Sequence, residues 1–489
     1  MDTTYIENIN KYQFEYFNIL NDFFIGVTNQ EAKKFCVPEN FTFAAQNLGE
    51  NLKNNKSQLD NANRSYETLE IRLKNLHTQE GVKCFNSAKK LNCFKVNLGG
   101  SSRVYESQLK AIRKSILLAD LVLVPDPVMP WLETKREYEN YQMIHILQAA
   151  YFILQLKKFF LDHDSYFPPF LVFPSFEKIL EAHDEFTINS SKQLIIDFFS
   201  YYSNLSFNSI EDLFSFAKLN DKKFLKIVED SNLLLAPGDK GNEPLSTSIQ
   251  KYESMVNKWR SQEYQKVFDS IPDSAKALIA IMERIQPQYH LFENSYEFNS
   301  NPLLCIEAHA HYFKLISKMT NHRVFNLEKF DKNSLSSISA LMNRRLDFLT
   351  NINDEQLKFL RKTKENITFR NKLREFINNL PNTEINNITK VASEVCSYIE
   401  SLISQHEKQI DALNIKYGAK HKYTALIGGG GLAVSLLPAL APFLGAALPL
   451  ALTTTGKYVA NKLDEISERK ILSGSMIGVF ATLKQKTMI

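Results

Sequence analysis

The densest group of metal-ligand side chains in the sequence consists of Glu307, His309 and His311, which alternate with alanines. Carboxylate and imidazole groups bind Zn²⁺ and similar ions in proteins. On a β-strand alternate side chains share one face, so all three could reach one ion. On an α-helix, residues two apart point about 200° apart, so His309 would face away from the other two. The helical spacing of the neighbouring apolar residues, with Pro302 at the start, favours a helix, and we expect no metal site here.

A second group combines histidine with aspartate, in His183-Asp184 and in Asp162-His163-Asp164. The His-Asp pair resembles the metal-binding pair of helical phosphohydrolases, and this resemblance implies a metal-dependent helical hydrolase. That family needs a further histidine and aspartate at a set spacing, and nothing in the sequence identifies them. A metal-dependent hydrolase therefore remains an alternative interpretation.

Asp126 stands between two prolines, directly after the apolar run 116–124. A carboxylate at the carboxyl end of a buried strand occupies a frequent position for binding and catalytic groups. Asp-Pro pairs also form turns, and we favour the turn.

Four consecutive glycines, Gly428, Gly429, Gly430 and Gly431, could suggest a phosphate-binding loop. A Walker loop continues with Gly-Lys-Ser/Thr, whose lysine neutralises phosphate charge and whose hydroxyl binds magnesium. This sequence lacks that continuation. We therefore predict that the protein is not an NTPase, has no catalytic centre of its own and uses no cofactor.

The overall composition is that of a globular protein, with 23% charged residues and a formal net charge of +4. This charge is too small to indicate nucleic-acid binding. The basic clusters 361–364 and 370–374 have helical spacing with acidic residues nearby, so we interpret them as solvated helix faces. The five cysteines form no Cys-x-x-Cys pair, and no apolar signal segment follows the start, so we expect a cytoplasmic protein.

The elements that must position these residues are helices. Apolar residues recur at spacings of three and four through most of the chain, which predicts a mainly α, multi-helical protein of two domains. We predict a first helical domain at 1–235, with one or two short strands near 117–124. The Pro- and Gly-rich segment 236–244 predicts a linker, followed by a second helical domain at 245–420 and an apolar hairpin with a terminal segment at 421–489.

The second domain is predicted to end in a long amphipathic helix at about 384–420. Its apolar residues fall on one stripe, typical of a helix that packs on a partner. The predicted interaction face consists of Ile388, Val391, Val395, Ile399 and Leu402.

The helix leads into a stretch without charge: 34 residues separate Lys422 from Lys457. As a helix, 426–452 would span about 40 Å, and a bilayer core needs roughly 30 Å. Its leucine, isoleucine, valine and phenylalanine residues would favour lipid by about 4–7 kcal/mol. The predicted membrane-active residues are Leu426, Gly428, Gly429, Gly430, Gly431, Leu436, Leu437, Pro438, Leu440, Pro442, Phe443, Leu444, Leu448, Pro449, Leu450 and Leu452.

Three prolines oppose a single straight span and favour a helical hairpin, which would enter one leaflet or be released from the protein. A hairpin buried in the core throughout is the alternative, because apolar runs of this length are also found there. The flanking lysines and tyrosines suit an anionic membrane surface. We therefore keep a second location open, at the inner face of the membrane.

Two segments, ILLADLVLVPDPVMPWLE and LTNINDEQLKFLRKTKENITFRNKLREFIN, resemble parts of bacterial proteins encoded in anti-phage defence loci, as does the Gly-rich apolar tail. The resemblance implies a cytosolic protein that acts on infection as one component of a multi-protein system. It therefore implies protein partners, with an oligomer as a further option, and identifies no catalytic residue. A non-catalytic subunit whose apolar tail docks on a partner is the alternative.

Overall fold

The computed structural model describes residues 3–99, 105–132, 139–159, 167–174, 182–235, 243–259, 262–304 and 354–378, together with isolated positions up to residue 408. Helices account for 77% of this part. The prediction of a mainly α, multi-helical protein is confirmed. The described part of the structure also includes one small parallel sheet of four short strands.

The chain up to residue 154 supplies eight of the described α-helices. They are α1 (Thr3–Thr28), α2 (Ala32–Phe35), α3 (Phe41–Asn54), α4 (Lys56–Leu76), α5 (Val82–Lys90), α6 (Tyr105–Ser115), α7 (Met129–Leu132) and α8 (Glu139–Leu154). One turn of π-helix, His77–Gly81, joins α4 to α5. Asn55 caps the start of α4, since its side chain accepts a hydrogen bond from the Gln58 backbone N–H at 3.1 Å.

Eight more described helices follow. They are α9 (Ala182–Ser203), α10 (Ile210–Leu219), α11 (Asp221–Asp230), α12 (Leu245–Trp259), α13 (Gln262–Asp269), α14 (Asp273–Glu297), α15 (Asp354–Lys362) and α16 (Lys364–Asn378). Ser209 caps α10 by accepting from the Asp212 backbone N–H at 3.1 Å.

The strands β1 (Lys95–Leu98), β2 (Leu121–Pro125), β3 (Phe170–Phe173) and β4 (Asn301–Leu303) form one sheet in the order β3-β2-β1-β4. All three neighbouring pairs are parallel. β1 and β3 are buried along their whole length and β2 along most of its own, as expected for parallel strands covered on both faces. Strand β2 confirms the predicted strand near 117–124.

The expected helix beginning at Pro302 is wrong at its start, because Pro302 lies in β4 opposite Asn97. β4 pairs only with β1 in this sheet. An edge strand tolerates a residue without an N–H group. The opposite edge is covered by α1, whose Gln13 side-chain oxygen accepts from the Val172 backbone N–H of β3 at 2.6 Å.

Two hydrophobic cores hold these elements together. The first packs α1, α3–α5, the sheet, α8, α15 and α16; the second packs α9–α14. Helix α14 takes part in both, since Tyr289 belongs to the second core and Leu291 to the first. Leu235 and Ile249, on either side of the predicted linker, belong to one core. Residues 236–242 of the predicted linker lie outside the described residues, and the domain boundary stays a prediction.

Ile399, one residue of the predicted interaction face, is fully buried in the first core, as is Cys396 one turn before it. Ile399 therefore packs within the protein itself, and the interaction face as a whole stays a prediction. The other face residues, Ile388, Val391, Val395 and Leu402, lie outside the described residues.

Helices α15 and α16 dock on the turn between α6 and β2 through buried polar groups. Arg361 donates to the carbonyl oxygens of Ile116, Ala119 and Asp120. Arg370 Nε donates to the Asp120 carboxylate at 2.7 Å. Both arginines are buried, at 4% and 7% exposed, so the interpretation of clusters 361–364 and 370–374 as fully solvated faces is wrong for these two side chains. The Ile116 carbonyl directly follows α6, whose last carbonyls lack partners within the helix, and the Ala119 and Asp120 carbonyls belong to the turn; Arg361 donates to all three.

Candidate functional site

A buried network of Tyr12, Tyr16, His77 and Asp126 lies at the carboxyl end of β2. Tyr12 and Tyr16 are four residues apart on α1 and therefore share a face. His77 is the first residue of the π-helical turn, and such turns are frequent at functional sites. Asp126 directly follows β2. The four residues are between 0% and 7% exposed.

The Asp126 carboxylate is the centre of the network. Its Oδ1 accepts hydrogen bonds from Tyr16 Oη and from the Val128 backbone N–H, both at 2.7 Å. Its Oδ2 lies 3.3 Å from His77 Nε2. The bond from Val128, two residues further on, closes a turn, so Asp126 is both the carboxylate at a strand end and the turn-forming residue that we favoured from the sequence.

His77 connects Asp126 to Tyr12. Its Nδ1 lies 2.8 Å from Tyr12 Oη, and its ring stacks with the rings of Tyr12 and Tyr16 at centroid distances of 6.1 and 6.4 Å. The imidazole tautomer with its proton on Nε2 donates to the Asp126 carboxylate and accepts from the Tyr12 hydroxyl at Nδ1, so this tautomer suits both contacts.

Electrostatics keep the Tyr12 hydroxyl protonated. Burial raises the pKa of Tyr12 well above its ordinary value, and the nearby Cys84 and Asp126 raise it further. Tyr12 therefore keeps its hydroxyl proton throughout the physiological pH range.

Tyrosine, histidine and aspartate in a hydrogen-bonded chain are groups that can move protons. Here protein groups occupy both oxygens of Asp126 and both ring nitrogens of His77. This arrangement joins protein groups to one another. Its chemistry is that of a clamp, which holds α1 and the π-helical turn against the end of β2.

The residues predicted as weak metal candidates are only partly placed. His311 Nε2 lies 2.8 Å from the Asn232 backbone oxygen, a contact in the second core region. Glu307 and His309 lie outside the described residues, as do Asp162, His163 and Asp164. His183 and Asp184 belong to α9, but their side chains are not among those described. In the part of the chain that the structure describes, no three His, Cys, Asp or Glu side chains form a metal-binding group.

The predicted membrane-active stretch and the whole of 421–489 lie outside the described residues, so the hairpin stays a prediction. Among the helices that the structure does describe, none combines the length and the apolar character needed to cross a bilayer.

Sequence reasoning considered Asp126 and favoured a turn there, and it did not consider Tyr12, Tyr16 or His77. The spacing of the two tyrosines on α1 was a usable signal for a shared helix face. Their partners lie 65 and 110 residues further along the chain, and a single sequence carries no signal for such pairings. The chain matches no protein-family model, and neither the curated proteins nor the solved structures show a significant similarity to it.

A second buried titratable group, Lys95, lies at the start of β1. Its ammonium donates to the carbonyl oxygens of Ala88 and Lys89 at 2.9 and 3.0 Å, at the end of α5. Lys95 is 2% exposed. Burial, with a smaller contribution from the Lys89 charge, lowers the pKa of Lys95 from 10.5 to about 8. The amine thus caps a helix at the cost of a disfavoured charge.

We expect Lys95 to make stability depend on pH in the alkaline range. Between about pH 8 and pH 10.5 the unfolded chain binds the Lys95 proton more tightly than the folded chain, so the free energy of unfolding rises with pH in this window. The contribution of this group is at most about 3 kcal/mol. The measurement is denaturant unfolding of wild type and Lys95→Met from pH 7.5 to 10.5.

The difference in the free energy of unfolding between wild type and Lys95→Met reports on Lys95 alone, because the buried cysteines and tyrosines titrate in both proteins and cancel. We expect wild type to gain stability relative to Lys95→Met as the pH rises. Parallel curves over the whole range would contradict the lowered pKa.

Proposed function

We propose that this protein is a component of a bacterial defence system whose C-terminal apolar stretch acts on the membrane. One observation carries the membrane part of this proposal: the 34 residues from Tyr423 to Gly456 contain no charged side chain, in a chain with 23% charged residues. The two lysines that flank this uncharged stretch, Lys422 and Lys457, would remain at the lipid headgroups.

The composition of the stretch supports a change of state rather than a permanent span. Pro438, Pro442 and Pro449 interrupt any straight helix. The run Gly428–Gly431 costs backbone entropy in a packed core, and a hinge is a use for it. The helical body, with Ile399 anchored in the first core, would hold the long helix that precedes the stretch.

The test compares wild type with Leu444→Arg, and Leu444→Ile is the matched apolar control. An arginine at the bilayer centre costs about 2.5–3.5 kcal/mol, roughly a hundredfold in membrane partition. We expect Leu444→Arg to lose membrane association and dye release from anionic liposomes together. Leu444→Ile should keep both, and all three proteins should have the same melting temperature.

The defence part of the proposal follows from the resemblance of two segments to proteins of defence loci. It is tested by phage plating on cells that carry the native locus with wild type or Leu444→Arg, where only wild type should protect. If wild type neither pellets with membranes under protecting conditions nor releases dye, the stretch docks on a partner protein or packs in the core, and the non-catalytic subunit takes the place of the effector.

A further inference from the structure

Helices α10 and α11 meet at Asn220, and residues 216–223 around this junction are called the tip below. Leu219, the last residue of α10, is 83% exposed, the highest value among the large hydrophobic side chains in the described chain. A leucine exposed to this degree gains no packing energy within the body. Single exposed apolar residues are common, so the surroundings of Leu219 decide its meaning.

The tip continues into a chain of aromatic rings. Phe216, one turn before Leu219 on α10, lies 5.2 Å from Phe207 and 6.4 Å from Phe224 between ring centroids. Phe224 stacks on Phe199 at 4.6 Å. Phe224 and Phe199 are fully buried, so this chain of rings enters the second core. The partly exposed rings are Phe216, one turn from Leu219, and Phe207. Tyr201 and Tyr202, at the end of α9, are 66% and 49% exposed.

Charge is separated along the two helices. The basic side chains lie near the tip, at Lys218, Lys222, Lys223 and Lys226. Two of them cover aromatic rings: Lys218 Nζ lies 4.8 Å from the Phe214 centroid and Lys223 Nζ lies 5.7 Å from that of Phe216.

The acidic side chains of α10 and α11 lie mostly at the opposite ends of these helices. They are Glu211, Asp212, Glu229 and Asp230. Asp221 is at the tip, but its Oδ1 accepts from the Ser274 backbone N–H at 3.1 Å and is directed towards α14. The outer surface of the tip thus combines lysine, leucine and aromatic side chains.

We propose that this tip binds an anionic lipid surface. Lysines near tyrosine, phenylalanine and leucine are typical of segments that rest in the headgroup region, where the ammonium groups meet lipid phosphates and the apolar side chains enter the acyl boundary. Protein–protein interfaces are depleted in lysine, so the composition favours lipid over a protein partner. The inference rests on the proposed function, because it assigns the body a contact with the membrane on which the stretch 425–456 acts.

The test uses the full chain and vesicles of phosphatidylcholine, alone or with phosphatidylglycerol, in a co-sedimentation assay. The tip variant is Leu219→Glu with Lys222→Glu. The matched control is Ile71→Glu with Lys53→Glu, which makes the same change of charge at exposed positions of α4 and α3. Each lysine near the surface contributes about 1 kcal/mol of attraction, so the tip variant should bind anionic vesicles at least roughly tenfold more weakly.

Retention of binding by the control, together with loss in the tip variant, supports the proposal. Equal binding of tip variant and wild type overturns it, and so does an equal loss in both variants, which would show dependence on net charge alone. Tip-dependent capture of a protein partner without vesicle binding also overturns it. The proposed function fails separately: wild type would then bind vesicles through the tip without releasing dye, and Leu444→Arg would behave like wild type.

Discussion

Replacing Asp126 with alanine is expected to lower the free energy of unfolding by about 3–5 kcal/mol, as for removal of one partner from a buried polar pair. The change leaves the Tyr16 hydroxyl, the Val128 N–H and His77 Nε2 without their acceptor in a buried position. Each unsatisfied buried group costs about 1–3 kcal/mol, and the three costs overlap because the site relaxes. Chemical denaturation measures the loss.

Two milder variants make the interpretation specific. Tyr16→Phe removes one donor and leaves the Val128 bond to Oδ1, so it should cost about 1 kcal/mol. Asp126→Asn keeps one acceptor oxygen and should fall between Tyr16→Phe and Asp126→Ala. A stability of Asp126→Ala equal to wild type would show that water replaces the carboxylate and that the network is no clamp.

The outcome for Asp126 shows how far sequence patterns reach. The apolar run before Asp126 predicted a short strand, because a continuous apolar segment of this length suits a buried strand. For Asp126 the sequence offered a strand-end carboxylate and a turn former as alternatives, with the turn favoured, and in the structure Asp126 takes both positions. The sequence did not predict His77, because the side chain that meets Asp126 comes from a π-helical turn 49 residues earlier.

Strands β1 and β4 were missed for a different physical reason. The sequence of β1 is Lys-Val-Asn-Leu, and its two polar residues are typical of a loop. In the structure the Lys95 ammonium caps α5 and the Asn97 amide lies near Ser295 Oγ of α14 at 3.4 Å. Tertiary contacts therefore bury polar side chains that local preference would leave in solvent. β4 contains a proline, which a strand admits only at an edge that sequence alone does not define.

The arginines of α15 and α16 show that local sequence also fails to predict the burial of charged side chains when their partners lie far away in the chain. Arg361 and Arg370 lie among lysines at helical spacing, and this composition is typical of a solvated face. Lys362, Lys364 and Lys372 are indeed exposed. The acceptors of Arg361 lie between 241 and 245 residues earlier in the chain. The guanidinium group has five donors in a rigid plane and can serve several carbonyls at once, which a lysine ammonium cannot do in the same geometry.

Replacing Arg361 with methionine should therefore have an effect comparable to that of Asp126→Ala, about 3–5 kcal/mol, because three carbonyl oxygens of the α6–β2 turn lose their donor. Methionine retains most of the apolar stem, so the loss reports on hydrogen bonds more than on packing. Lys362→Met, at the exposed neighbouring position, is the control and should change stability by less than about 0.5 kcal/mol. Arg361→Lys should fall between them, since its ammonium reaches fewer of the three carbonyls.

Hydrogen exchange distinguishes local from global loss in Arg361→Met. If the arginine joins α15 and α16 to the α6–β2 turn, amides of 354–378 should lose more protection than amides of α9–α14, whose core contains neither helix. Helix α16 would still be held by Arg370 on Asp120 and by Leu373 in the first core, so the protection should fall most in α15. A uniform loss across both cores would contradict a local joint, and it would show instead that Arg361 supports the whole fold through the sheet.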